Sequence, residues 1–247
     1  MLEGKVAIVT GGGGGLGAGY CRALAAEGAS VIVADIAERG AKEIAEEVGG
    51  LAVQVDVSDP SSVRNMVARG MEQYGRIDIL INNAALFIEL VRTRKPFDEI
   101  PVEEWDRVMA VNVRGTWLCC KAVAPVFRQQ GSGVIINISS GTIYFGAPGI
   151  MHYVTSKAAV WGMTRVLARE LGDAGVRVNS ITPGLTSSEA VREVYPHETL
   201  EASAQSRIFK REETGDDLVG TVLFLCSDAS KFITGQTVNV DGGGYMH

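Results

Sequence analysis

Cysteine is scarce in this chain. Cys21, Cys119, Cys120 and Cys226 are the only four in 247 residues. They form no CxxC pair and no spacing that suits zinc, which argues for reduced, packed thiols and against a disulfide scaffold. His152, His197 and His247 have no spacing that implies a metal cluster, so no metal is expected. No apolar run approaches the roughly 20 residues needed to span a bilayer, so no membrane partner is expected. The opening stretch MLEGKVAIVT lacks a basic region followed by a long apolar segment and a small-residue cleavage site. No secretory leader is therefore expected, and the expected location is the cytoplasm. A net charge of -6 supplies no excess of Lys and Arg for a phosphate backbone, so no nucleic-acid partner is expected. A Pro/Gly/Ser-rich linker, a composition shift and an internal repeat are all missing, which points to a single domain over residues 1–247.

What is present is the mix of an ordinary globular protein, 46% hydrophobic and 21% charged. Seven short β-branched runs recur, at 5–10, 30–35, 51–56, 77–82, 133–139, 176–181 and 236–241. Most are nearly continuous apolar runs, as in strands covered on both faces of a parallel sheet. Helical patterns lie between them at 17–27, 37–48, 60–74, 102–129, 151–171 and 216–227. Asp59-Pro60 is a strong helix start, a capping side chain followed by Pro at the first helical position. The alternation predicts an α/β fold, a single doubly wound Rossmann-type domain whose seven-stranded parallel sheet carries helices on both faces. Two long connections, 84–101 and 183–213, follow strands, and such loops surround the ligand crevice of an open parallel sheet.

The first predicted strand runs into Thr10-Gly11-Gly12-Gly13-Gly14-Gly15-Leu16-Gly17 and a helix follows at once. Glycine lets backbone approach a pyrophosphate, and the amides at the helix start face its charge. Gly11, Gly13, Gly14 and Leu16 are the candidate phosphate contacts. Asp35 ends the second strand, where a carboxylate can accept from both hydroxyls of an adenosine ribose and repels a 2'-phosphate. The other reading of Asp35 is a cap for the helix beginning near Ala37. With no basic residue in Gly11–Gly17, the expected cofactor is NAD rather than NADP.

Tyr153 and Lys157 are four residues apart in a helical pattern and project from one face. An ammonium beside a phenol favours the phenolate, which tunes Tyr for acid/base work. The strand ending Asn137-Ile138-Ser139-Ser140 brings a hydroxyl to the rim of the same crevice.

Taken together, TGGGGGLG, Asp35, Asp56-Val57, Asn82-Asn83-Ala84, Asn112, Ser140, YVTSK, Pro183-Gly184 and ITGQTVNVDGG resemble the short-chain dehydrogenase/reductases of the one-domain kind, over essentially the whole chain and in register. The resemblance implies that Tyr153 exchanges a proton with the substrate oxygen. It makes Lys157 the residue that holds the nicotinamide ribose and lowers the Tyr153 pKa, and Ser140, rather than Ser139, the one bonded to the substrate oxygen. Asn112 would hold a water joining Lys157 to solvent. Asp56 and Val57 would meet the adenine, Asn83 the adenosine-side ribose region, and Thr186 the carboxamide, with Ser188 as a neighbour. Ala85 stands where the family usually has Gly, and the stretch after it is longer than in short members and carries Arg92, Arg94 and Lys95. Those cations are read as solvated, with an anionic substrate as the alternative.

Ile143, Tyr144, Phe145, His152, Leu185, Val191 and Tyr195 are the expected pocket lining, with Ser140, Tyr144, His152, Leu185 and Tyr195 as substrate contacts. His152 could equally be packed. Such a lining suits a hydrophobic, cyclic or aromatic secondary alcohol or ketone. Trp105, Trp117 and Trp161 are read as core or interface. The resemblance implies a homotetramer, and the 183–213 segment is expected to order over bound cofactor and substrate. Two other functions stay open. One is a 3-oxoacyl-carrier-protein reductase, against which Asp35 speaks because that reaction normally uses NADPH. The other is a catalytically silent NAD-binding regulator, against which the intact Asn112, Ser140, Tyr153 and Lys157 set speaks.

Overall fold

The computed structural model describes residues 1–246; His247, a residue of interest in the sequence, lies outside them. Val, Ile and Leu crowd the strands because both faces of the sheet are covered. The strands are β1 (Val6–Thr10), β2 (Ser30–Asp35), β3 (Leu51–Gln54), β4 (Ile79–Asn82), β5 (Gly133–Ile138) and β6 (Val176–Pro183), followed by β7 (Thr186–Ser187), β8 (Glu213–Thr214) and β9 (Thr237–Val240). Seven of them form one parallel sheet in the order β3-β2-β1-β4-β5-β6-β9, while β7 and β8 pair separately. This is the doubly wound order, whose switch point lies between β1 and β4.

Neighbouring strand residues face opposite layers. Ile8, Ile32, Leu80, Ile135 and Val178 join one core. It packs against α3 (Pro60–Tyr74), α6 (Thr116–Gln130) and α8 (Met151–Leu171). Ala7, Val9, Val33, Ile81 and Ile136 join the other core, beneath α1 (Gly15–Ala26), α2 (Glu38–Val48) and α11 (Gly215–Cys226). All four cysteines are free and buried, and burial pushes the Cys21, Cys120 and Cys226 thiols up to about 12. Asp59 caps α3 through Ser61 N (2.9 Å) and Ser62 N (3.2 Å), ahead of Pro60.

Two expectations need correction. The helix read as unbroken over 102–129 is α5 (Val102–Val108), a π-helical stretch Met109–Gly115 and then α6. Composition does not announce this wide turn, because helical periodicity runs through it unchanged. A Cβ on Gly115 would lie 2.8 Å from Val57 Cγ2, so the helix passes against β3's exit at glycine distance. The long connections are not structureless either. The first holds α4 (Ile88–Arg92), and the second holds α9 (Glu189–Val194) and α10 (His197–Ser206). α7 (Thr142–Phe145) lies between β5 and α8. These helices are too short for apolar periodicity to reveal. The β7–β8 pair closes the base of the second connection.

Candidate active site

The carboxyl ends of β1, β4, β5 and β6 open into a cavity of about 670 Å³. At one end lie Gly14, Gly15 and Leu16 of the turn into α1. The glycines there divide by what a side chain would meet. On Gly17 a Cβ would overlap the Gly11 carbonyl, and on Gly13 it would come within 2.8 Å of Ala41 N. On Gly14 and Gly15 it would meet open space. Gly11 and Gly15 also take positive φ, 64° and 51°. No side chain caps the amino end of α1, so its first amides face the cavity without a protein acceptor from a side chain. The turn therefore fits a pyrophosphate: tight on the protein side, empty on the ligand side.

Asp35 ends β2 beside this turn. Its Oδ2 accepts from Gly13 N (2.9 Å) and its Oδ1 from Ala37 N (2.9 Å). Asp35 thus holds the chain just ahead of α2 without capping it, since no side chain caps that helix, and each oxygen keeps a further acceptor site for a hydroxyl. The nearby cations on α2 are paired along the helix, Arg39 with Glu43 (2.9 Å) and Lys42 with Glu38 (2.6 Å). Asn83 donates from Nδ2 to the carbonyls of Thr10 and Gly11, both at 3.1 Å, so its amide braces the turn. Asp56 accepts from Ser58 N (2.8 Å) and Oγ (2.7 Å), and Val57 is buried next to Gly115.

In the middle of the cavity α8 presents Tyr153 and Lys157, and the end of β5 presents Ser140. Ser140 is hydrogen-bonded to Tyr153 and its Oγ accepts from Thr142 Oγ1 (3.0 Å). Ser139 is different: its Oγ donates to the Lys157 carbonyl (2.8 Å) and ties strand to helix. Lys157 Nζ donates to the Ile138 carbonyl (2.7 Å) and stands 5.7 Å from the Tyr153 ring centroid. Burial pushes the Lys157 ammonium down to about 8. Burial also pushes the Tyr153 phenol up, against the lowering influence of the Ser140 bond, and Tyr195 adds to the rise. This is opposite in direction to the sequence-based expectation for Tyr153: desolvation of the phenolate is the largest influence on it. Asn112, in the π-helical stretch, donates to Ser156 Oγ (3.0 Å) and accepts from Leu86 N (2.8 Å), which locks the connection after β4 onto α8.

At the far end Thr186 donates to Glu213 Oε1 (2.7 Å). Burial raises Glu213 to about 7, against the Thr186 bond and Arg207, with Asp241 adding to the rise. Of the expected pocket residues, Phe145, Leu185, Val191 and Tyr195 do line the cavity, whereas Ile143, Tyr144 and His152 do not. His152 is turned by the helix away from Tyr153's wall and bonds through Nε2 to Glu104 (3.0 Å), which also holds Lys95 (2.5 Å). It is packed. Tyr144 instead lies against Thr182 Oγ1 at 3.4 Å. Phe87, Arg94, Ile150 and Arg207 line the cavity without having been read as such; only Arg94 gave a sequence signal, its place in the basic cluster. Trp117 and Trp161 are partly exposed on α6 and α8 rather than core.

The family described as Enoyl-(Acyl carrier protein) reductase matches residues 12–245. The chain belongs to the short-chain dehydrogenase/reductase family. An uncharacterized oxidoreductase of Mycobacterium tuberculosis is 42% identical over 252 residues, covering 98% of each chain. A 3-oxoacyl-[acyl-carrier-protein] reductase of Thermotoga maritima is 34% identical over 247 residues, again with 98% of each covered. Among solved structures, the 3-ketoacyl-(acyl-carrier-protein) reductase of Brucella melitensis complexed with NADH superposes with a TM-score of 0.92 at 32% identity and full coverage of both chains. This dehydrogenase/reductase is therefore an oxidoreductase with a nicotinamide-cofactor fold. Among the described residues, no helix is long and apolar enough to cross a membrane.

Proposed function

We propose that the chain, working as one catalytic unit, is an NAD-dependent oxidoreductase that interconverts a secondary alcohol and a ketone. The observation that carries this reading is the meeting, in one cavity, of the ligand-side glycines Gly14 and Gly15 with Ser140, Tyr153 and Lys157. Gly11, Gly13, Gly14 and Leu16 would hold the pyrophosphate, and Asp35 the adenosine ribose. Asp56, Val57 and Asn83 would frame the adenine side, and Thr186 the carboxamide. When bound, the nicotinamide supplies hydride chemistry. Ketone reduction then needs a proton on the nascent alkoxide. Tyr153, kept protonated by burial, donates it while Ser140 donates a second hydrogen bond to the same oxygen. In oxidation the proton returns to Tyr153, and Lys157 is the cation beside the phenolate. Asn112 fixes the position of α8 and, with Lys157, would lead the proton to solvent.

Asp35 supports NAD over NADP, because a 2'-phosphate would face a carboxylate beside already paired cations. The apolar lining supports a hydrophobic, cyclic or aromatic substrate. Partly exposed Trp117 and Trp161, with Val166 of α8, support a homotetramer built on α6 and α8. A second reading, a 3-oxoacyl-carrier-protein reductase, is favoured by the Thermotoga and Brucella relatives. Initial rates with NAD(H) and NADP(H) on phenyl carbinols, cyclohexanols and 3-hydroxyacyl thioesters, with the corresponding ketones, separate the two. NAD-linked turnover of a secondary alcohol, falling about 10³-fold in Tyr153→Phe with NADH binding retained, is the expected result. NADPH-linked turnover of thioesters alone would select the second reading. Undiminished turnover in Tyr153→Phe would reject the acid/base role.

A further inference from the structure

The chain has a net charge of -6, yet the cavity reverses that sign. Arg94, Lys157 and Arg207 line it against a single carboxylate among the described residues, Asp241. That carboxylate is itself taken up by the amides of Gly243 (2.9 Å), Gly244 (3.0 Å) and Tyr245 (2.8 Å). Two of the three cations have internal work. Lys157 is bonded to Ile138 beside Tyr153. Arg207, 4% exposed, donates to the carbonyls of Leu185 (2.8 Å) and Arg211 (3.2 Å) and lies 3.4 Å from Glu213.

Arg94 differs. Its neighbours Arg92, Lys95 and Arg107 pair with Glu193 (2.9 Å), Glu104 (2.5 Å) and Glu89 (2.8 Å). Arg94 has no carboxylate partner among the described residues. It is nevertheless held. One terminal nitrogen donates to Tyr195 Oη (2.7 Å), and the guanidinium carbon lies 5.2 Å from the Tyr195 ring centroid. Its stem packs over Gly149, where a Cβ would sit 3.1 Å from Arg94 Cβ. A guanidinium stacked and tethered in this way has lost much of its rotamer freedom but keeps most of its N–H donors. Neither Gly149 nor Tyr195 belongs to the turn that cradles the pyrophosphate.

We propose that Arg94 is a specificity-determining residue that takes an anionic group, a carboxylate or a phosphate, carried by a substrate whose apolar body lies along Phe87, Ile150 and Val191. The inference rests on reading this cavity as the oxidoreductase's substrate site. A planar fork matches either anion in two parallel hydrogen bonds, and a cation without a carboxylate partner at the cavity wall gives the mouth a local attraction for an anion.

Titration calorimetry on the full chain, with and without NADH, would compare para-acetylbenzoate and para-acetylphenyl phosphate with neutral para-acetylbenzamide. At least one anion should bind tenfold or more tighter than the amide, and the preferred anion identifies the group. Arg94→Gln should bring that anion to the level of the amide and leave the amide unchanged, while Arg94→Lys should restore part of the difference. Equal binding of amide and anions to the unaltered chain would overturn the proposal, as would an anion preference that survives Arg94→Gln. Displacement of the bound anion by NADH would place it in the cofactor cradle and equally overturn it. Arg94-dependent binding without nicotinamide-linked turnover of any of these ketones would keep the anion site and count against the reaction assigned above.

Discussion

The two ends of the cavity are built on opposite principles. At the glycine-turn end the two side chains that brace the turn are satisfied within the protein: Asp35 by Gly13 and Ala37, Asn83 Nδ2 by Thr10 and Gly11. At the other end the buried groups are only partly satisfied. Glu213 Oε2 and Ser187 Oγ, next to Thr186, have no hydrogen-bond partner among the described residues; Glu213 there, and Lys157 in the middle of the cavity, are displaced toward their neutral forms. Protein stability therefore favours the cradle as it stands and is reduced by the chemical end. The difference teaches where this fold holds its rigid frame and where it holds groups that a ligand must settle.

Glycine substitutions test the first half of that contrast most severely. Gly17→Ala drives a methyl into the Gly11 carbonyl and toward Asn83; backbone cannot yield as a side-chain tip does. The expected loss is about 3 kcal/mol of stability, the upper end of ordinary overpacking, with NADH binding lost alongside. Gly14→Ala places its methyl in open space at an extended φ of -173° that any residue adopts. Its unfolding midpoint should stay within about 0.5 kcal/mol of the unaltered chain, while NADH affinity falls at least tenfold. Denaturant unfolding paired with NADH fluorescence titration reads both. Equal losses of stability in the two variants would mean that the turn is not divided into a protein side and a ligand side.

This division also marks how far the sequence could be read. The seven parallel strands, the Asp59-Pro60 start of α3 and the placing of Ser140, Tyr153 and Lys157 in one cavity were legible, because period, turn chemistry and motif spacing are local. Four things were not. The π-helical stretch around Asn112 includes the point where Gly115 meets Val57, a contact 58 positions away in sequence. His152 is adjacent to Tyr153 but faces Glu104, a direction that helical geometry fixes and adjacency hides. The charge states at the chemical end depend on burial, so Lys157 could be recognised as a neighbour of Tyr153 but the desolvation that shifts both groups could not. The paired cations Arg92 and Lys95 could not be told apart from Arg94, whose partner is a tyrosine far along the chain.

Glu213 tests the second half of the contrast through its pH dependence. Its folded value, about 7, lies above its ordinary 4.5, so the folded state holds the proton over that window and the unfolded state releases it. Stability contributed by the protonated form is complete below pH 4.5 and is lost as pH rises through 7. The loss is roughly 3 kcal/mol between those limits. Glu213→Gln cannot titrate, so the variant's stability between pH 4.5 and 7 should fall by about that much less. The sign at any single pH also reflects Arg207, which loses a charged neighbour; the slope does not. Urea midpoints at a series of pH values give it directly, and superimposable slopes would show that Glu213 is already well settled.

Lys157 gives a shift of similar size and the opposite kind. Its folded value, about 8, lies below its ordinary 10.5, so the unfolded state binds the proton more tightly and burial of the charged form costs roughly 3 kcal/mol below pH 8. That cost shrinks as pH rises from 8 and is gone above 10.5. Lys157→Met removes the charge, keeps most of the stem, and loses the charge-assisted bond to the Ile138 carbonyl, worth about 1.5–2 kcal/mol. The net expectation is a variant more stable by roughly 1–2 kcal/mol at pH 7 and catalytically silent, with its advantage fading toward pH 10. A group kept for chemistry at a cost in stability leaves that signature, and a structural lysine would leave the reverse: a variant less stable at pH 7, with no gain to lose as the pH climbs.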